Sequence, residues 1–253
     1  MAVARRRPQD YLVAALFVIV AAALVYSGVR LWKYWRSYKP EPDVSAYTVR
    51  GIDISAHNGV IDFAKVKAAG IDFVFIKASE GTDFRDKRFR ANFDSVAKYR
   101  IASGAYHFFR YEKDGMQQAI NLYQALDGRI PELGVVIDVE DAGNPHEGSE
   151  ETIVANLGEM IDYLNLRGLT VMLYTNKDGY NQFLRRAYAG YPLWICSFAD
   201  TPIDAEWRFW QYSHTGRVDG IKGDVDLNVF NGSRNDWQNM QRLSSPHLAD
   251  SIQ

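Results

Sequence analysis

The sequence predicts an α/β fold on a mostly parallel sheet, preceded by one transmembrane helix. Two patterns carry this expectation. Apolar runs of strand length alternate with segments whose apolar residues recur at helical spacing, and such alternation builds a parallel sheet, either closed into a barrel or doubly wound. Near the N-terminus, the nineteen residues from Tyr11 to Val29 carry no charge. A helix of that length, at ~1.5 Å per residue, nearly matches a ~30 Å hydrocarbon core.

Residues 1–10, with Arg5 to Arg7, are expected as a cytoplasmic N-terminus, and 11–29 as the transmembrane helix. A cleaved signal peptide is the rival, although its apolar region is only about 7–15 residues long. Arg30, Lys33, Arg36 and Lys39 follow the span, so positive charge flanks it on both sides and does not set its orientation. Residues 30–46 contain Pro40 and Pro42, lack a helical stripe and are expected as a stalk.

The folded body is expected over 47–237. Its strands are placed at "GIDIS", "IDFVFIK", "IASGAYHFF", "LGVVIDVE", "LTVMLYT", "YPLWICSF" and "FWQYS", with a further alternating run in "VDLNV". Helical stripes are Phe89, Phe93 and Val96; then Met116, Ile120 and Tyr123; then Ile153, Leu157, Met160, Ile161 and Leu164. Residues 238–253 lack a strong pattern and are expected as a partly disordered tail.

Composition narrows the function classes. A formal net charge of −2 and no Lys/Arg-rich block in the body exclude a basic field for nucleic acid. The single cysteine, Cys196, excludes an intrachain disulfide and a cysteine-based zinc cluster, and its apolar setting suggests core filling. No G-x-G-x-x-G or P-loop marks a nucleotide site, no acidic metal-loop pattern appears, and no cofactor is implied.

"GVVIDVED", Gly134 to Asp141, carries two acids in an apolar strand, although burying an unpaired charge is costly. Side chains alternate, so Val135, Ile137 and Val139 share one face, and Val136, Asp138 and Glu140 the other. In a βα barrel these acids would point inward at the C-terminal strand end, where barrel enzymes keep their chemistry. Asp53 in "GIDIS" and Asp226 in "VDLNV" repeat the arrangement. Crowded carboxylates cannot all ionise easily, so at least one keeps its proton. A protonated carboxyl beside an ionised one suits cleavage of a glycosidic bond. A buried acid network tied to Lys77, helix-capping acids and a hard-cation site are the alternatives.

Near the expected strand ends lie Tyr106, His107, Tyr174, Trp194, Trp210, Gln211 and Tyr212. Flat aromatic faces beside hydrogen-bonding groups suit sugars. Tyr106, Tyr174, Trp194, Trp210 and Gln211 are the candidate substrate contacts.

From Gly51 to about Gly232 the chain resembles glycoside hydrolase family 25, the lysozymes (N-acetylmuramidases). The motifs "GIDIS..NG.IDF", "GIDFVFIKASEG.DFRD..F..N", "GAYHFFR", "VVIDVE", "LYT" and "FWQYSHTGRVDGI.GDVDLNVFNG" stand in the family's order. The resemblance implies an irregular TIM-like βα barrel that cuts the β-1,4 bond between N-acetylmuramic acid and N-acetylglucosamine in peptidoglycan. It implies Glu140 as general acid, Asp138 as its partner, and Asp53 and Asp226 as the other active-site acids. It also implies retention of configuration, with the substrate's own N-acetyl group as nucleophile and Asp138 polarising it. His57 and Asn58 depart from the Trp and Gln of many members, and Lys177 and Asp178 follow Tyr174 in a variant loop.

Two other readings compete: a chitinase-like glycosidase, whose longer acid run is missing because Gly134 and Val136 occupy those positions, and a membrane-tethered peptidoglycan-binding protein without catalysis. The expected partners are peptidoglycan glycan strands and, through the N-terminal helix, the membrane. The expected location is a single-pass protein of the bacterial inner membrane with its body periplasmic or extracytoplasmic. Oligomeric state is left open.

Overall fold

The computed structural model describes residues 8–37, 42–144, 148–198, 202 and 205–244, with the side chains of 8–15, 33–37 and 243–244 outside the described set. The chain divides into two compact units, Met1–Pro40 and Glu41–Gln253.

The first unit is one helix, α1 (Pro8–Ser37), which continues into residues expected as stalk. Large apolar side chains described within it, including Leu16, Phe17, Leu24 and Trp32, are exposed. Among the described residues, no helix is long and apolar enough to cross a membrane. The expected transmembrane helix is thus met by a helix but not by a span among these residues. Residues 1–7 of the expected N-terminus, 38–41 of the stalk and 245–253 of the tail lie outside the described residues.

Among the described residues the second unit holds nine strands: β1 (Arg50–Ile54), β2 (Phe73–Glu80), β3 (Phe84–Arg85), β4 (Ala102–Phe108), β5 (Val135–Asp138), β6 (Val171–Asn176), β7 (Leu193–Cys196), β8 (Phe209–Gly216) and β9 (Val225–Phe230). All but β3 form a closed ring, because β1 pairs with both β2 and β9. That closure selects the barrel over the doubly wound layer. Neighbours from β1 round to β8 are parallel, whereas β9 is antiparallel to both β8 and β1. The short β3 pairs antiparallel with β2, outside the ring.

Alternation along each strand divides the core in two. Ile52, Val74, Ile76, Val135, Ile137 and Val139 pack outward with the helices, and Phe73, Phe75, Val136, Trp194, Phe209 and Phe230 fill the barrel. Each fully buried side chain of this size contributes roughly 1.5–3 kcal/mol of transfer free energy. Gly134, just before β5, has φ 79, and a Cβ there would meet the Thr170 carbonyl at 2.4 Å, so no other residue fits without strain.

The helices are α2 (Phe63–Ala68), α3 (Phe89–Lys98), α4 (Gly115–Leu126), α5 (Glu150–Leu166), the short α6 (Lys177–Gly179) and α7 (Arg234–Ser244). The stripes expected for α3 and α5 are buried. The stripe expected for α4 is on the wrong face: Met116 and Tyr123 are exposed, and Gln118, Ala119, Asn121, Leu122, Ala125 and Leu126 are buried. The buried face was hidden by its amides. Gln118 bonds His107 and the Arg110 backbone, and Asn121 bonds the carbonyls of Gly81 and Phe84. Helix α7 runs to Ser244, into residues expected as tail, with Trp237 buried among the barrel aromatics and Met240 packed beside it.

Candidate active site

Every expected acid reaches the same end of the barrel. Asp53 lies on β1 opposite Asp226 on β9, Asp138 ends β5, and Glu140 follows two residues later. Because β9 runs against its neighbours, Asp226 near its start lies beside the C-terminal end of β1. Asp53, Glu140, Asp226, Tyr106, Tyr174, Trp194 and Gln211 all line one cleft of about 400 Å³. Asp138 does not line it and is 7% exposed.

The β1–β9 side is held by a hydrogen-bonded frame. Asp53 Oδ2 accepts from Gln211 Nε2 and from Asn228 Nδ2, each at 2.8 Å. Gln211 Oε1 accepts from the Tyr174 hydroxyl at 2.8 Å, and Asn228 Oδ1 from Trp194 Nε1 at 2.8 Å. Trp194 stacks on Phe75 with centroids 4.3 Å apart and meets Tyr174 at 4.5 Å, which fixes it as the cleft floor.

Burial, then the Asp226 charge, raises the Asp53 pKa well above the usual carboxylate range, although the two amides oppose this. Burial also raises Asp226, against a hydrogen bond with Asp53 and the nearby His214. The pair is therefore built to share a proton. On the β5 side, burial and then Glu140 raise Asp138 well above its ordinary value. Its Oδ1 is buried with no hydrogen-bond partner. Burial and then Asp226 push Glu140 up to about 7, opposed by Lys77. This carboxyl can hold a proton near neutrality and release it to a substrate.

The loop after Glu140 is tied down. Asn144 Nδ2 donates to the carbonyls of Glu140, at 2.8 Å, and Phe109, at 3.0 Å. Lys77, the partner considered for a buried acid network, instead pairs with Glu80 at 2.6 Å. Among the described residues, no group of three or more His, Cys, Asp or Glu side chains is disposed to hold a metal ion.

Trp210 is not in the cleft. It packs outward between Tyr47 and Trp207, and its Nε1 donates to the Ser197 carbonyl at 2.8 Å. Strand alternation requires this, since Gln211 faces inward and its neighbour must face out. Tyr212 is likewise in the outer core. His107 is fully buried between Ser79 Oγ and Gln118 Oε1, and burial lowers its pKa to about 4.

Ala142, Asn176, Cys196 and Phe198 also line the cleft, beyond the residues expected from sequence. Asn228 shares the frame. The alternation of β9 could have exposed Asn228, because it sits two residues after Asp226. Cys196 is a wall residue rather than simple core filling, and burial holds its thiol up at about 12.

The model of the family described as glycosyl hydrolases family 25 matches residues 52–221. An uncharacterized protein, YegX of Escherichia coli O157:H7, is 33% identical over 202 residues, covering 77% of this chain and 74% of that protein. Lysozyme M1 of Streptomyces globisporus is 33% identical over 207 residues, covering 73% of this chain and 68% of its own length. Among solved structures, a family 25 glycosyl hydrolase from Bacillus anthracis superposes with a TM-score of 0.71 at 30% identity, over 80% of this chain and 97% of that one.

Proposed function

The chain belongs to glycosyl hydrolases family 25, and from that premise we propose that it is a lysozyme-type hydrolase of peptidoglycan. The bond cut is the β-1,4 link between N-acetylmuramic acid and N-acetylglucosamine. The observation that carries this reading is the cleft carboxyl Glu140, held up at about 7 beside the Asp53–Asp226 pair.

In this mechanism Glu140 protonates the leaving oxygen as the bond breaks. The substrate's N-acetyl oxygen closes onto the anomeric carbon, retaining configuration through two displacements. Asp138 is the acid assigned to the acetamido N–H, which its Oδ1, buried and unpartnered just outside the cleft lining in the free protein, would meet once the sugar binds. Glu140, now ionised, takes the proton of the incoming water. The Asp53–Asp226 pair places negative charge near the developing cation, and Tyr106, Tyr174 and Trp194 offer hydroxyl and ring contacts to the sugars.

The test is mass spectrometry of purified peptidoglycan after incubation with the protein. Products ending in reducing N-acetylmuramic acid are expected. Reducing N-acetylglucosamine, release of chitin oligomers instead, or binding without turnover would each overturn the reading.

The proposal includes location. A wall hydrolase must face the wall, so the body is placed in the periplasm or outside the membrane, with a single-pass anchor in a bacterial inner membrane and its N-terminus cytoplasmic. The uncharged run from Tyr11 to Val29 supports the anchor. A reporter fused after Gln253 should be open to periplasmic protease. Soluble protein whose mature sequence starts between Ala21 and Ser27 would replace the anchor with a cleaved signal.

A further inference from the structure

Lys77 lies on the inner face of β2, because the alternation that turns Phe73 and Phe75 into the barrel turns Lys77 the same way. Its backbone is level with Tyr106 on β4, and Tyr106 with Val136 on β5. The side chain rises one layer from there. Its Nζ is 5.3 Å from the Phe108 ring, and Phe108 is the register partner of Asp138. The Phe84 ring lies 5.5 Å from the same nitrogen, which also donates to Glu80 Oε2 at 2.6 Å. Two rings and a carboxylate thus fix an ammonium at the height of the acids.

Glu80 does not serve Lys77 alone. Its Oε1 accepts from Arg110 Nε at 3.0 Å and from Arg110 Nη2. Arg110 also donates to the carbonyl of Gly143, next to Ala142 of the cleft wall. One carboxylate therefore joins the cation beside the acids to the loop that follows Glu140. Burial works against ionisation of Glu80, but Lys77 and Arg110 hold its pKa below the ordinary value.

We infer that Lys77 and Glu80 form a positioning pair that sets how firmly Glu140 and Asp138 hold their protons, Lys77 through its charge and Glu80 by fixing and balancing that charge. The inference rests on the role given to Glu140 above. Lys77 opposes the rise of both acids, which burial and their carboxyl neighbours drive. Asp226 from β9 and Asp141 from its own loop also raise Glu140, and the Glu140 charge in turn raises the groups that face it, Asp138 on β5, Tyr111 after β4, Tyr174 on β6 and Cys196 on β7. Asp53 from β1 and Tyr106 from β4 share its cleft. Lys77 supplies positive charge to this acidic set.

Lys77→Met and Glu80→Gln break the same ion pair, so a purely structural role would move both variants the same way. A charge role moves them in opposite directions. Without Lys77, the basic limb of the pH-rate profile and the Glu140 carboxyl titration should rise by about 0.5–1 pH unit. Without the Glu80 charge, both should fall by a similar amount, and Lys77→Arg should stay near wild type. The titration is read by carbon NMR, with the Glu140 signal assigned through Glu140→Gln, and needs no substrate. A protein inactive on peptidoglycan would overturn the hydrolase reading while this test stands. Shifts of the same sign, or no shift in either variant, overturn the inference. If Lys77→Met does not fold, Lys77→Arg and Glu80→Gln decide it: an unmoved titration in the first and a fall in the second support the pair, and any other result overturns it.

Discussion

Asp53 and Asp226 meet as register partners on antiparallel strands, and Asp53 is clasped by the amides of Gln211 and Asn228. Asp138 and Glu140 stand two residues apart at the end of β5, and Asp138 Oδ1 is buried without a partner. Burial raises the proton affinity on both sides. The difference lies in what else holds them. On the β1–β9 side, neutral amides fix the geometry of a proton-sharing pair, so that side acts as scaffold as well as charge. The β5 side is left with unmet acceptor capacity, which suits groups that exchange protons and contacts with a substrate.

The largest expected effect breaks the β5 side at its proposed proton donor. Glu140→Gln keeps the volume but removes the acid, and turnover on peptidoglycan should fall by about 100- to 10,000-fold with the fold intact. Near wild-type turnover in a muropeptide-release assay would assign the acid elsewhere. Next comes the frame on the opposite side. Asn228→Ala strips an amide from Asp53 and leaves Trp194 Nε1 without its acceptor, so denaturant unfolding should show a loss of about 2–3 kcal/mol.

Asp138→Asn sharpens the contrast through its sign. A carboxyl whose folded pKa is raised binds more protons folded than unfolded, so its stabilising contribution is full below its unfolded pKa and is lost as pH rises through the folded one. The amide variant should therefore be more stable than wild type by about 1–2 kcal/mol near pH 7, while losing activity, and the advantage should vanish below about pH 4. Thermal unfolding at the two pH values checks this, and a constant difference would remove the titration as its cause. The smallest effect tests the boundary of the site. Trp210→Phe loses one hydrogen bond in the outer core, which should cost about 0.5–1 kcal/mol and leave peptidoglycan turnover within about twofold.

What the sequence made legible follows the strand period. Alternation in "GVVIDVED" separated Val135, Ile137 and Val139 from Asp138 and Glu140, and the two groups do pack on opposite faces. The same rule would have excluded Trp210 once Gln211 was placed inward, but aromatic chemistry outweighed geometry there. On α4, Gln118 and Asn121 carry the buried face, and a search for apolar stripes selects the wrong side when backbone carbonyls and a buried histidine need amides. The reversal of β9 was hidden because period-two alternation carries no strand direction. Its pairing with β1 depends on residues far away in the chain.

That distant pairing also fixes when the site can exist. Asp53 and Asn228 are 175 positions apart, and the ring shuts only when β9 enters between β8 and β1. Ribosomes deliver the N-terminal strands first, so a growing chain carries Asp53, Asp138 and Glu140 well before it carries Asp226. Such long-range contacts come with a large loop-closure entropy and form slowly. The amides that clasp Asp53, the acid that raises Glu140 and the far wall of the cleft all arrive with the last third of the body. Until then the nascent barrel is an open sheet, and the cleft with its coupled carboxyls exists only once the last strand is in place.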